Sequence, residues 1–175
     1  MVAKDAMNRC QRTEPSAAAS ESEMSLAFLN RQRDTLLCKL EGLDDEQLRR
    51  PHTPSGLTLL GLVKHLTDVE RSWFREGFAG EDLAYLWDDA DPQRYWRVKP
   101  DDTTVELIAG YREECRIADR IVQEHALDDL SSGGGPAAGQ AITLRWIVLH
   151  MIEETARHVG HADLIREAID GQTGE

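Results

Sequence analysis

Three features are scarce in this 175-residue chain: paired cysteines, basic charge and long apolar runs. Its three cysteines, Cys10, Cys38 and Cys115, are widely spaced and form no CxxC motif. A disulfide framework is therefore not expected, and the reducing cytoplasm is the expected location. Cys38 and Cys115 fall within helical patterns, which favours small core residues over nucleophiles. No apolar run has the length of a membrane span, so no membrane partner is expected.

Basic residues are outnumbered by acidic ones, which gives a net charge of −12 and a pI near 4.9. A surface this acidic repels phosphate backbones and offers no basic face to anionic lipids. Nucleic acid is therefore not expected as a partner. The chain length and the 41% of hydrophobic residues are typical of one globular domain with a sizeable core.

The sequence has no convincing strand pattern, and its apolar residues recur instead at helical spacing in four long stretches. These stretches are residues 25–41, 58–78, 103–125 and 144–170, with one further helical turn expected at 44–49. The predicted buried side includes Trp73 in the second stretch and Val105 in the third. Four long amphipathic helices predict an all-α fold, a four-helix bundle. Residues 1–22 are polar, small and aperiodic, which predicts a disordered tail before a bundle domain of residues 23–175.

Two connecting segments lack any helical or strand period. Residues 79–102 contain four aromatic side chains among many acids: Tyr85, Trp87, Tyr95 and Trp96. These aromatics could line a pocket or cover the hydrophobic ends of the bundle, and the sequence favours neither. Residues 127–140 contain a glycine run, but no Lys-Ser/Thr follows it and no strand precedes it. A phosphate-binding loop is therefore weakly supported, and a flexible connection is expected.

The last predicted helix carries polar residues in the middle of its apolar stripe. Within roughly 40° of one line along this helix lie seven residues: Ile147, Met151, Glu154, His158, His161, Ile165 and Ala168. A carboxylate removed from water costs several kcal/mol unless it is paired or binds a metal. Three polar groups at i, i+4 and i+7 therefore indicate a metal or catalytic cluster. The alternative is a stripe that drifts to the surface, with Glu154 paired to Arg157 or Arg166.

The second predicted helix has a histidine on its buried side. His65 lies next to Leu62 and Val69 on that side, and alone it is interpreted as a hydrogen-bonded core histidine. Together with Glu154 and His158 the interpretation shifts toward a ligand. A zinc-type site needs three protein groups and an open position, and two helices supply that number here.

Two segments together resemble the DinB-like superfamily: GLVKHLTDVERSWF, which begins at Gly61, and WIVLHMIEETARHVGHADLIREAIDG, which begins at Trp146. The resemblance covers roughly residues 24–171 and points to a branch of unassigned function. It implies a four-helix bundle, often dimeric, with a divalent metal held by three side chains. Those ligands match His65 on the second helix and Glu154 and His158 on the last. The glutamate resembles the ExxxH variant of the maleylpyruvate isomerase branch rather than the commoner all-histidine triad.

The superfamily resemblance also implies an activity. Characterised relatives use low-molecular-weight thiols, such as mycothiol or bacillithiol, for isomerisation or S-transfer. The leading hypothesis is therefore a metal-dependent transferase that joins such a thiol to a small electrophile. Two imidazoles and a carboxylate suit zinc first, and also nickel, iron or manganese. His161 is the candidate catalytic residue as a proton carrier, although a further ligand or a partner of Glu154 remains open.

Two other functions stay open at the level of the sequence. One is a metal-dependent hydrolase that uses bound water in place of a thiol. The other is a non-catalytic bundle that binds a metal or a small ligand. A homodimer is expected, since the leucine-rich first helix is compatible with a dimer face.

Overall fold

The structure, a computed structural model, describes residues 12–83 and 95–174. Its helices are α1 (Glu21–Cys38), α2 (Asp45–Arg49), α3 (Leu59–Glu70, continued by a π-helical segment, Arg71–Phe78), α4 (Thr104–Glu124) and α5 (Leu144–Asp170). Within these ranges the only pairing of β type is one isolated bridge, Leu130 to Thr143. The prediction of an all-α bundle is confirmed. None of the described helices is long and apolar enough to cross a membrane.

The four long helices pack so that α1 lies mainly against α5, and α3 mainly against α4. Their apolar faces form two buried clusters, one at each end of the bundle axis. The first includes Leu29, Phe74, Ile147 and Met151. The second includes Leu36, Leu62, Leu66, Tyr111 and Ile165. All four long helices contribute side chains to both clusters, so each of them runs the length of the core.

The helix N-termini follow from short polar caps. Ser20 accepts a hydrogen bond from the Glu23 backbone, and the Glu23 side chain accepts one from the Ser20 backbone, which forms a capping box. For this reason α1 begins at Glu21, inside the predicted tail and four residues before the predicted start. Residues 12–20 form no helix or strand, residues 1–11 lie outside the described ranges, and the predicted domain boundary at residue 23 stays a prediction.

Two residues assigned to core stripes are exposed. Val105 is 78% exposed, and Ala168 also faces solvent. Val105 lies in the first turn of α4 and Ala168 in the last turn of α5. The apolar periodicity extends into these turns, but the side chains there are not covered by a neighbouring helix. These two core assignments are wrong.

The glycine-rich connection is packed rather than free. The Ser132 backbone donates to the Phe78 carbonyl, and a short 3₁₀ turn, Gly135–Ala137, buries Ala137 completely. At Gly134 an added Cβ would overlap the Glu76 carbonyl. The glycines therefore let this connection pack against the backbone of the π-helical segment. This packing explains the glycine run without a phosphate-binding role.

The two cysteines in the described ranges differ. Cys115 is free and half-buried, and burial raises the pKa of its thiol, which keeps it protonated and inert. Cys38 is disulfide-bonded, which departs from the expectation that the cysteines form no disulfide.

A buried ion pair crosses the bundle. Arg33 on α1 and Glu70 on α3 are 3% and 1% exposed. Two hydrogen bonds join them, from Nε to Oε1 at 2.7 Å and from Nη2 to Oε2 at 2.5 Å. Arg33 Nη1 also donates to Asp119 on α4, at 2.7 Å. Burial lowers the pKa of the Arg33 guanidinium, but Glu70 raises it more, so Arg33 stays charged. This network explains why the apolar stripe of α1 is interrupted at Arg33.

Candidate metal centre

Helices α3 and α5 bring the three predicted ligands together. His65 on α3 and His158 on α5 are 7% and 6% exposed, and Glu154, one turn before His158, is half-buried. One ligand atom from each residue lies within 4.8 Å of the other two. The i, i+4 spacing on α5 places Glu154 and His158 on one face, and that face meets His65 across the helix interface.

The distances between these atoms suit a metal ion. Glu154 Oε1 lies 3.0 Å from His158 Nε2 and 3.4 Å from His65 Nε2. Two ligand atoms bound to one tetrahedral zinc ion at its usual bond lengths are roughly 3.3 Å apart. Two imidazoles and a carboxylate are also a donor set that zinc and its neighbours accept. The three residues therefore fit a divalent metal both in spacing and in chemistry.

The electrostatics favour the ligand forms of these groups. Hydrogen bonds from His158 and His65 hold the pKa of the Glu154 carboxyl well below its usual range. Burial lowers the pKa of the His65 imidazole, although Glu154 partly opposes this effect. Glu154 is thus ionised and His65 is neutral, which is the state in which carboxylates and imidazoles coordinate metals.

An aromatic residue from the long connection covers the site. The ring of Trp96 stacks on His65 with centroids 3.8 Å apart and an interplanar angle of 17°. Close approach is permitted by Gly61, where an added Cβ would lie 2.6 Å from the Trp96 carbonyl oxygen. Of the two roles considered for these aromatics, Trp96 takes the first, at the wall of a site. Tyr95 is buried, and Tyr85 and Trp87 lie outside the described residues.

The stacking of Trp96 on His65 replaces the hydrogen bond that a histidine ligand usually makes through its second ring nitrogen. His65 Nδ1 is buried and has no hydrogen-bond partner within the described part of the chain. A histidine ligand usually donates its second ring N–H to a carboxylate or carbonyl, which fixes the ring. At His65 the flat contact with Trp96 fixes the ring instead.

A family model for mycothiol-S-transferases matches residues 24–171, which is most of the chain. The chain belongs to the mycothiol-S-transferase family. This family is part of the DinB-like superfamily, so the sequence resemblance is confirmed. No curated protein shows a significant match to the chain.

Two side chains next to the triad answer questions left open by the sequence. His161 is exposed, and its Nδ1 lies 3.2 Å from His158 Nδ1, so it contacts His158 directly. Arg157 Nη1 lies 3.5 Å from Glu154 Oε2, so the ion pair considered as an alternative exists beside the triad. Arg166, the other proposed partner, instead pairs with Asp170.

A cavity of about 370 Å³ opens beside the triad, and sequence reasoning missed it and its lining residues other than His65 and Glu154. His65 and Glu154 lie at its wall, with Trp73 from the π-helical segment and His150 from α5. A signal for His150 was available, because it lies one helical turn before Glu154. No sequence signal placed Trp73 here, since the register of the π-helical segment is not visible in an α-helical period.

Proposed function

We propose that this protein is a divalent-metal-dependent mycothiol S-transferase that joins the thiol to a small electrophile. The observation that supports it most is the convergence of His65, Glu154 and His158, from two helices, in a chain of the mycothiol-S-transferase family. Family membership points to the reaction class, and the three side chains supply the chemistry that such a reaction needs.

We assign the metal to His65, Glu154 and His158, with zinc preferred over nickel, iron and manganese. When bound, the ion supplies a Lewis acid that lowers the pKa of a thiol reaching it. The protein's part is to hold that centre in place. Arg157 lies against the second oxygen of Glu154, and Trp96 stacks on His65 and shields one side from water.

The reaction balances without an oxidant or reductant. A new bond forms between the sulfur of mycothiol and the electrophilic carbon, and the bond from that carbon to its leaving group breaks. The leaving group takes the bonding electron pair. We assign the thiol proton to His161, which is exposed and can pass it to water.

We also propose a cytoplasmic homodimer. The cytoplasm is where low-molecular-weight thiols are kept reduced. Phe28 on α1 and Leu149 on α5 are 44% and 57% exposed and line one groove, which offers an apolar surface to a second copy. Light scattering tests this arrangement, since a dimer has twice the 19.7 kDa mass of the chain.

The decisive experiment measures metal content and thiol transfer in the same preparations. Untagged wild-type protein is compared with His65→Ala and Glu154→Gln, and Glu153→Gln serves as the matched control. Glu153 is exposed and pairs with Arg157 on the same helix, so its loss removes a carboxylate next to the site without touching the triad.

We expect about one equivalent of metal in wild type and in Glu153→Gln, and a large loss in both triad variants, because each ligand is required for a closed donor set. Mycothiol consumption with a model electrophile should follow the metal. Metal-replete wild-type protein that consumes no thiol would reject the transferase, and equal metal in all four proteins would reject the site.

A further inference from the structure

We propose that the cavity beside the triad is the electrophile subsite and that it selects an uncharged, flat, aromatic molecule. This inference rests on the proposed function and adds the class of its second substrate. The cavity measures about 370 Å³, within the range of pockets that hold small ligands. It has the triad residues His65 and Glu154 at its wall, so a molecule bound there lies next to the centre that activates the thiol.

The wall away from the triad is aromatic and apolar. The rings of Trp73 and His150 meet edge to face with centroids 4.8 Å apart. His150 in turn stacks on Trp146 at 5.1 Å and 15°, which holds its ring plane. Val69 and Pro136 add apolar surface, and Ser72 and Gly135 complete the lining. Flat ligands gain both apolar burial and ring contacts against such a wall.

Charge decides which of the two substrates the cavity suits. Neither lysine nor arginine is among the described residues that line it, and Glu154 contributes a carboxylate. A bound metal ion would offset that carboxylate, but an anionic group held against Val69, Trp73 and Pro136 would lose its water without a cationic partner. A hydroxyl-rich thiol such as mycothiol would find few partners for its hydroxyl groups, because Val69, Trp73 and Pro136 are apolar and, besides the triad residues, Ser72 and His150 are the polar side chains among the described lining. The cavity therefore suits an uncharged electrophile better than it suits the thiol.

The cavity exists because of two unusual pieces of backbone. The π-helical segment presents Trp73 half-buried, and the 3₁₀ turn that contains Pro136 closes the opposite side. That turn reaches the π-helical segment only because Gly134 lacks a side chain, as its contact with the Glu76 carbonyl shows. The glycine run thus shapes one wall of the subsite.

The first test compares two aryl chlorides as electrophiles for mycothiol with metal-replete protein. 1-Chloro-2,4-dinitrobenzene is neutral, and 4-chloro-3-nitrobenzoate is anionic. In each reaction a carbon–sulfur bond forms, the carbon–chlorine bond breaks, chloride leaves with the electron pair and the thiol proton passes to water. After each rate is divided by its uncatalysed rate, the neutral compound should be favoured by about tenfold or more. Equal enhancement of both would overturn the proposal.

Variants then locate the preference in this cavity. Trp73→Ala should raise KM for the neutral electrophile about tenfold, because it removes the largest apolar surface, and should leave KM for mycothiol unchanged. Pro136→Lys, at an exposed position of the turn, should reduce the preference for the neutral compound and remains informative if Trp73→Ala fails to fold. Leu164→Ala, 68% exposed and remote from the cavity lining, is the control and should behave as wild type.

A binding measurement separates this proposal from the reaction itself. Unreactive 1,3-dinitrobenzene is titrated calorimetrically into the metal-replete protein without thiol. Binding in wild type and Leu164→Ala, weakened at least about tenfold in Trp73→Ala, supports the subsite even if no thiol is transferred. Binding that is absent, or equally strong in Trp73→Ala, overturns the subsite even if the transferase activity is real.

Discussion

At the scale of single residues, His158 and His161 share one proton. Their Nδ1 atoms are 3.2 Å apart, so one ring donates and the other accepts. If His158 binds a metal through Nε2, its Nδ1 carries the proton and donates to His161. His161 then has its other nitrogen free to face solvent, where the thiol proton must finally go.

We predict that His161→Ala lowers kcat by about 100-fold, the lower end of what general base catalysis contributes. The rate is measured at saturating metal, because His161 contacts the proposed ligand His158 and its loss should also weaken metal binding. Added imidazole should restore part of the rate, since the position is exposed. A variant that loses its metal and gains nothing from imidazole would show that His161 only orients His158.

Trp96 is the second residue whose role can be tested alone. Trp96→Ala should weaken metal binding by about 10- to 100-fold, as the loss of an outer partner of a metal ligand usually does. The reason is that His65 Nδ1 has no hydrogen bond in the described structure to hold the ring. Trp96→Phe keeps a flat ring and is the matched control. Competition with a chromophoric chelator measures both affinities, and equal values for the alanine variant and wild type would contradict the prediction.

The sequence predicted the triad but not its surroundings. Glu154 and His158 were visible because they interrupt an apolar stripe one turn apart, and His65 because it lies among Leu and Val. Trp96 was named, but its contact with His65 could not be foreseen, since Trp96 lies within a segment without periodicity. The close packing of Trp96 against α3 also depends on Gly61, because a side chain at that position would overlap the Trp96 carbonyl oxygen. This requirement cannot be read from the sequence.

At the scale of elements, α3 shows what helical periodicity cannot detect. One continuous helix was predicted over residues 58–78, and the structure confirms its extent but changes to π-helical geometry at Arg71. Wider turns change the face on which later residues lie. Trp73, assigned to the buried side, is half-buried, whereas Ser72 and Glu76 are buried at 1% and 6%.

The ion pair between α1 and α3 gives a prediction about stability. Arg33→Ala should destabilise the protein by about 3–5 kcal/mol, because it leaves the buried Glu70 carboxylate without its partner. Arg116→Ala breaks a surface pair with Glu113, whose side chains are 57% and 52% exposed, and should change the free energy of unfolding far less, because solvent screens an exposed pair. Urea unfolding measures both. A similar loss in the two variants would show that the buried pair carries no special role.

At the scale of the whole molecule, the proposed ligand atoms come from helices far apart in sequence. His65 and Glu154 are brought together only by folding, so an unfolded chain offers no comparable site. Removal of the metal should therefore destabilise the protein. At 100 times its dissociation constant, a ligand that binds only the native state contributes about 2.7 kcal/mol.

We predict that a chelator lowers the thermal midpoint of wild type by roughly 5–10 °C, a range that follows from this free energy and the chain length. Glu153→Gln should show the same shift and Glu154→Gln almost none, although both lose one carboxylate. Calorimetry with and without added Zn²⁺ makes the measurement. A midpoint independent of zinc in wild type would argue against a metal held between α3 and α5.

The indole of Trp96 lies flat against one of the three proposed ligands, and this has a practical consequence. The fluorescence of that indole should therefore depend on the metal ion bound at the centre. A paramagnetic ion such as Ni²⁺ bound there would quench it. The chain has four tryptophans, so the spectrum of Trp96→Phe subtracted from that of wild type isolates this one signal. The protein thus contains its own optical indicator, with which metals can be titrated without any added dye.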